Sequence, residues 1–278
     1  MSNEYFESQR AQFHITTDSD LRFLRQANRI AADVLRYLCD QAVEGRSTLD
    51  LERLAQAKLA RARATAPFEI FQEDPTKPPF GFAICVSIDD AVVNGPPSKD
   101  TILQSGHCVS IAIGTEYRGF YGKSARTLIV GDAISAVLSP VIQYWQDLSL
   151  SIQLLKTGKN TMLDVITVMN RFQQESATFC LLSGLGGCFT GNVLHTNVFI
   201  PNRIEDADAS NNPWMLLPLE YGWTFTLMPM AVVGENPGYT SDPDGWTLRS
   251  ASGLPAVHWA DTYWVGPECI ECLTHSAS

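Results

Sequence analysis

The pattern of apolar and polar residues changes several times along the chain, and each change predicts an element. Leu21, Leu24, Ala31, Val34, Leu35 and Leu38 fall on one helical face, behind Asp18 or Ser19 as the capping residue. Ser47-Thr-Leu-Asp50 reads as a capping box that opens a second helix, with Leu51 and Leu54 turned inward. Residues 67–79, bounded by prolines, read as loop. From Phe80 the texture shifts to short runs of Val, Ile and aromatics. These are punctuated by Asn94-Gly95-Pro96-Pro97, Ser105-Gly106 and Arg118-Gly119, which are strand and turn signals. Ser139-Pro140 starts another helix, with Val141, Trp145, Leu148, Ile152 and Leu155 as its buried stripe and Gly158 as a stop. A further helix begins at Asn160 or Thr161 and carries Leu163, Ile166, Met169 and Phe172. Strands and turns return after Ser183-Gly184, interrupted by a polar, acidic loop from Pro201 to Pro213. Helices, strands, helices, strands: the order predicts an α+β protein of two similar halves.

Composition narrows the partners. The formal net charge is −10 without any cluster of Lys and Arg, so neither nucleic acid nor an anionic membrane surface is an expected partner. No apolar run approaches the roughly eighteen residues of a membrane span. The N-terminus, Met1-Ser-Asn-Glu-Tyr-Phe-Glu, lacks the basic and apolar regions of a secretory signal. Seven cysteines, an odd number, suit free thiols in a reducing cytoplasm. Cys269-Ile-Glu-Cys272 lacks the second ligand pair that a structural zinc site needs. His14, His107, His195, His258 and His275 are scattered, with no two at i, i+4 on a helix. Cys188, in Gly-Gly-Cys-Phe, reads as a small buried filler.

Several stretches, in order, resemble the signature segments of type I methionine aminopeptidases, the pita-bread family. They are Cys85-Val-Ser-Ile-Asp-Asp-Ala-Val-Val-Asn94-Gly95, Leu103-Gln-Ser-Gly106-His-Cys-Val-Ser-Ile-Ala112 and Gly119-Phe-Tyr-Gly122-Lys123. Further along, Glu220-Tyr-Gly222-Trp-Thr-Phe-Thr-Leu-Met228-Pro229-Met230, Asp244-Gly245-Trp246-Thr and the closing Leu273-Thr274 continue the series. The likeness runs from about Thr17 to Thr274, which implies a single pita-bread domain over residues 17–278 behind an N-terminal extension of residues 1–16. The implied fold is α+β, with curved antiparallel strands enclosed by four long helices in pseudo-twofold halves.

The resemblance also places five metal-ligand positions, and here the chain departs from it. Those positions hold Ala112, Lys123, Leu185, Met228 and Ala260. The two substrate-contacting histidines become Asn94 and Asn192, or His195 in place of Asn192 if an insertion shifts the register. Methyl, isobutyl and thioether groups are poor donors for hard or borderline dications, and an ammonium repels them, so neither metal nor other cofactor is expected. Two residues of the family's methionine side-chain pocket, Cys85 and Trp246, remain.

The implied reading is a metal-independent protein whose former active-site pocket is reused for a small organic molecule bearing a carboxylate or carbonyl. A biosynthetic isomerase, cyclase or lyase would fit. Lys123 is then the catalytic candidate, as an amine activated by desolvation or as a cation facing the ligand, unless it snorkels to solvent. Asn94, Asn192, Cys85, Trp246, Tyr121 and Cys108 are the candidate ligand-binding residues, strand alternation leaving the last two free to point either way. The alternative is a non-catalytic pita-bread module that binds a protein partner, the acidic Ile204–Asn212 loop being its one clear addition.

Overall fold

The computed structural model describes residues 3–274 apart from 73, 132–138, 176–178, 209, 211 and 235–237. Its helices are α1 (Asn3–Arg10), α2 (Asp18–Gln41), α3 (Thr48–Ala62), α4 (Ser139–Gln153) and α5 (Met162–Glu175). The first half holds β1 (Ile84–Ile88), β2 (Ala91–Val93), β3 (Cys108–Tyr117) and β4 (Phe120–Ile129). The second begins with β5 (Phe179–Leu181), β6 (Gly186–Phe189), β7 (Phe199–Pro201), β8 (Thr224–Leu227) and β9 (Met230–Val233). It ends with β10 (Tyr239–Ser241), β11 (Leu248–Ser250), β12 (Ala256–His258), β13 (Asp261–Val265) and β14 (Ile270–Cys272).

All the described strand pairings are antiparallel, in four sheets ordered β1-β3-β4, β10-β11-β2, β12-β9-β5 and β14-β13-β8-β6-β7. The α+β expectation holds, with α2 to α5 as the four long helices.

Local sequence explains the helix ends. Ser47 caps α3 as expected: its Oγ accepts from the Asp50 N–H at 3.1 Å and donates to the Asp50 carboxylate at 2.7 Å. The cap of α2 is Thr17 rather than Asp18 or Ser19, because Thr17 keeps an extended backbone while its hydroxyl accepts from the Asp20 N–H. That leaves Asp18 and Asp20 inside the first turn, where their charge suits the helix dipole. The proline-bounded segment contains a short 3-10 turn, Pro67–Ile70, in an otherwise irregular stretch. Among the α4 residues expected inside, Val141, Trp145, Leu148 and Ile152 are buried. In α5 the buried stripe is Met162, Val165, Ile166 and Met169; Leu163 is half-buried, and the side chain of Phe172 lies outside the described residues.

Two cores result. In the first half Ile30, Val34, Leu35 and Leu38 of α2 and Leu51 of α3 pack on Ile84, Val109, Ile111 and Ile113 of the β1-β3-β4 sheet. In the second, Trp145, Ile166 and Met169 pack on Phe189, Phe225 and Val265, joined by Phe13 and Trp223. Ala125 of β4 and Ala260, just before β13, join the halves by reciprocal backbone hydrogen bonds of 3.0 and 3.1 Å.

Candidate functional site

The join between the halves is also the floor of a cleft. Cys85 stands opposite Ala112, and Ala112 opposite Ala125, which in turn pairs with Ala260. Directly opposed residues on antiparallel strands share a face, so these four small side chains form one row across both halves. Phe80 is buried with them, and Phe68, Met228 and the half-buried Trp246 pack around the row. Trp246 meets Phe80 edge-on at 5.2 Å and Phe71 at 6.4 Å. The cleft above the row has a volume of about 580 Å³.

Lys123 lies two residues before Ala125 on β4, so alternation turns it to the same face. It does not snorkel. The residue is 2% exposed, and its Nζ donates to Cys188 Sγ at 3.2 Å. His258, 3% exposed, also lines the cleft, and its Nε2 is buried without a hydrogen-bond partner among the described residues. Desolvation, reinforced by the Lys123 charge, lowers the His258 pKa to about 4, so its ring is neutral near pH 7. The same two causes lower the pKa of His195, which lines the cleft with one side open to solvent and its ring 5.1 Å from Phe71. No carboxylate is among the cleft-lining residues described; the charged ones are Lys123 and the exposed Lys77.

Of the residues singled out from sequence, Lys123, Asn94, Cys85, Trp246, Ala112, Leu185, Met228 and Ala260 all line the cleft. Asn94 holds a left-handed backbone with φ 63°, which asparagine tolerates better than most residues. Gly95 follows it because any Cβ there would sit 2.4 Å from the Val86 carbonyl oxygen.

Three expected residues stand elsewhere. The Asn192 amide donates to the Ala11 carbonyl at 3.2 Å, in an exposed position, and His195 takes the place in the cleft. Tyr121 shares the face of Lys123, but two residues of extended strand carry it about 7 Å away, beyond the cleft. Cys108 lies four residues from Ala112 along β3, inside the second core, where its thiol donates to the Ala256 carbonyl at 3.4 Å. His258 lines the cleft and Cys188 stands behind it as the hydrogen-bond partner of Lys123; neither role follows from motif or periodicity. His258 and Asp261 form no acid–base pair: the Asp261 carboxylate accepts instead from Arg126, Trp259 and Thr274.

A divalent metal pair does not fit this donor set. The five positions where the resemblance puts ligands present two methyls, an isobutyl, a thioether and an ammonium toward the cleft. Among the described residues no three His, Cys, Asp or Glu side chains gather in a group able to hold a metal ion. No helix among those residues is long and apolar enough to cross a membrane.

Comparison with known proteins gives this arrangement a setting. The model of metallopeptidase family M24 matches residues 22–267. The methionine aminopeptidase of Aquifex aeolicus is 29% identical over 248 residues, covering 87% of this chain and 91% of the relative. Methionine aminopeptidase 1 of Mycobacterium tuberculosis is 28% identical over 262 residues, covering 92% of each. The crystal structure of methionine aminopeptidase from Thermotoga maritima superposes with a TM-score of 0.83 at 25% identity, covering 95% of this chain and all of that one. A Xaa-Pro dipeptidase from Bacillus anthracis, at 18% identity and a TM-score of 0.69, shares the fold over 98% of this chain and 64% of its own.

The pita-bread expectation is therefore correct. The expected function is not. Relatives that align over most of the chain are named methionine aminopeptidases, which overturns the reading of a metal-independent protein whose pocket is given over to a small organic molecule.

Proposed function

The chain belongs to metallopeptidase family M24, and from that premise we propose that its cleft receives the methionyl end of a peptide, the substrate for which its relatives are named. The observation that carries this reading is the apolar end of the cleft. Phe68, Phe80, Trp246 and Met228 surround the row of Cys85, Ala112, Ala125 and Ala260, a wall of aromatic and small groups suited to an unbranched thioether side chain. Lys123, Asn94, His195 and His258 line the same cleft and offer polar groups to a peptide backbone. All seven cysteines are free, which agrees with a reducing compartment such as the cytoplasm.

The test is calorimetric titration with Met-Ala-Ser and Glu-Ala-Ser peptides, each with a free and a blocked amine. Saturable binding that prefers methionine supports the reading; equal affinity for Glu, or none for either, overturns it.

A second reading, a pseudopeptidase that binds this end without hydrolysing it, is favoured by the side chains of Ala112, Lys123, Leu185, Met228 and Ala260, which line the cleft at the positions where the resemblance puts metal ligands. Release of free methionine with added manganese or cobalt, followed by mass spectrometry, separates the two. Turnover on bound peptide would sink the second reading.

A further inference from the structure

The charge of the cleft bears on which methionyl end it accepts. A free peptide N-terminus is an ammonium near neutral pH, with a pKa of about 8. The described lining offers it no carboxylate and already holds the buried Lys123 ammonium. The nearby buried acid, Asp261, is turned away, with its oxygens committed to Arg126 at 2.7 Å, Trp259 at 2.6 Å and Thr274 at 2.5 Å. Two positive charges a few ångströms apart in a partly dry site repel each other.

Two further observations point to a hydrogen-bonding group with an acceptor, not to a cation, in that place. The Lys123 ammonium carries three N–H donors, and among the described residues its partner is one thiol sulfur, a weak acceptor. His258 Nε2, buried and lining the same cleft, has no partner among the described residues. A buried donor and a buried ring nitrogen left open in this way are costly unless something fills them.

We propose that the cleft selects a methionyl end whose amino group is acylated, the acyl carbonyl oxygen accepting from Lys123 Nζ and the amide completing His258 Nε2. This rests on the reading of a methionyl-end site above and specifies its substrate class. An acyl amide removes the α-ammonium charge and supplies both an acceptor and a donor. The neutral His258 ring can take either role, its pKa being lowered to about 4.

The experiment compares formyl-Met-Ala-Ser, acetyl-Met-Ala-Ser and free-amine Met-Ala-Ser by titration calorimetry on the full chain, wild type and Lys123→Met. In the wild type at least one acylated peptide should bind about tenfold or more tighter than the free-amine peptide, the order expected for relief of one charge repulsion at close range. In Lys123→Met that ratio should fall below about threefold, because the repulsion is gone. Circular dichroism establishes that the variant is folded, and the wild-type ratio stands as a test even if it is not. Equal or tighter binding of the free-amine peptide in the wild type overturns the inference and leaves the methionyl-end reading intact. A ratio that survives in folded Lys123→Met also overturns it, since the preference then does not come from Lys123. Failure of all three peptides to bind removes the methionyl-end reading and this inference with it.

Discussion

Residues 258–261 present two buried polar clusters that differ in one respect. On one side Asp261, 1% exposed, accepts hydrogen bonds from Arg126, Trp259 and Thr274, and Arg126 also lies over the Trp259 ring at 3.9 Å. Every acceptor there has its donor. On the other side Lys123 meets a single sulfur and His258 Nε2 meets nothing among the described residues. Asp261 is as deeply buried as Lys123 and His258, yet its cluster is closed and theirs is open. Closed networks of this kind hold structure together, whereas open ones carry a standing cost that a ligand can relieve. Both lie at the seam where Ala125 and Ala260 join the two halves, so the same strands brace one cluster and expose the other to the cleft.

The largest expected effect breaks the closed cluster. Asp261→Ala should destabilise the fold by about 3 kcal/mol in urea unfolding, since it strands the Arg126 guanidinium and leaves the Trp259 and Thr274 donors without acceptors. A loss below about 1 kcal/mol would mean that water replaces the carboxylate easily, and the contrast between the clusters would fail.

The next effect belongs to the open cluster and depends on pH. The folded pKa of His258 is depressed from its ordinary 6.5 to about 4, so the unfolded chain takes up its proton first as pH falls. Its contribution to stability is complete above about pH 6.5 and is lost progressively down to about pH 4, at a slope approaching about 1.4 kcal/mol per pH unit. Unfolding midpoints measured from pH 7 to pH 4.5 should fall for the wild type and fall less steeply for His258→Gln. Parallel curves would show that the ring is solvated after all.

The smallest effect is on the other member of that cluster. Lys123→Met removes a buried charge that no described carboxylate balances, so the melting temperature should stay level or rise, equivalent to a gain of up to about 1 kcal/mol. A clear drop in melting temperature would place Lys123 with the closed, structural cluster instead.

Much of this molecule is determined by local pattern. The stripe from Leu21 to Leu38 makes α2 an amphipathic helix whatever it packs against, and Ser47 with Asp50 closes the start of α3 within a single turn. Alternation along β4 aims Lys123 at the face that Ala125 occupies, because the period of a strand admits only two faces. The identities of Ala112, Leu185, Met228 and Ala260 are matters of sequence too, and none of them carries a carboxylate or an imidazole.

What remained undecided depended on how distant strands meet. Periodicity states which way a side chain faces, not how far along the strand the cleft extends, so Tyr121 and Cys108 could not be placed until β3 and β4 were in register with their neighbours. The choice between Asn192 and His195 hung on the path of the chain after β6, where the backbone folds back against the Gln12 carbonyl and leaves the histidine at the solvent-facing side of the cleft. Cys188 and His258 are far from Lys123 in sequence and carry no motif of their own. Only the pairing of β6 with β8 and of β12 with β9 brings Cys188 against the Lys123 amine and His258 into the cleft beside it, because the contacts that fix a binding site are long-range while the signals that fix a helix or a strand face are local.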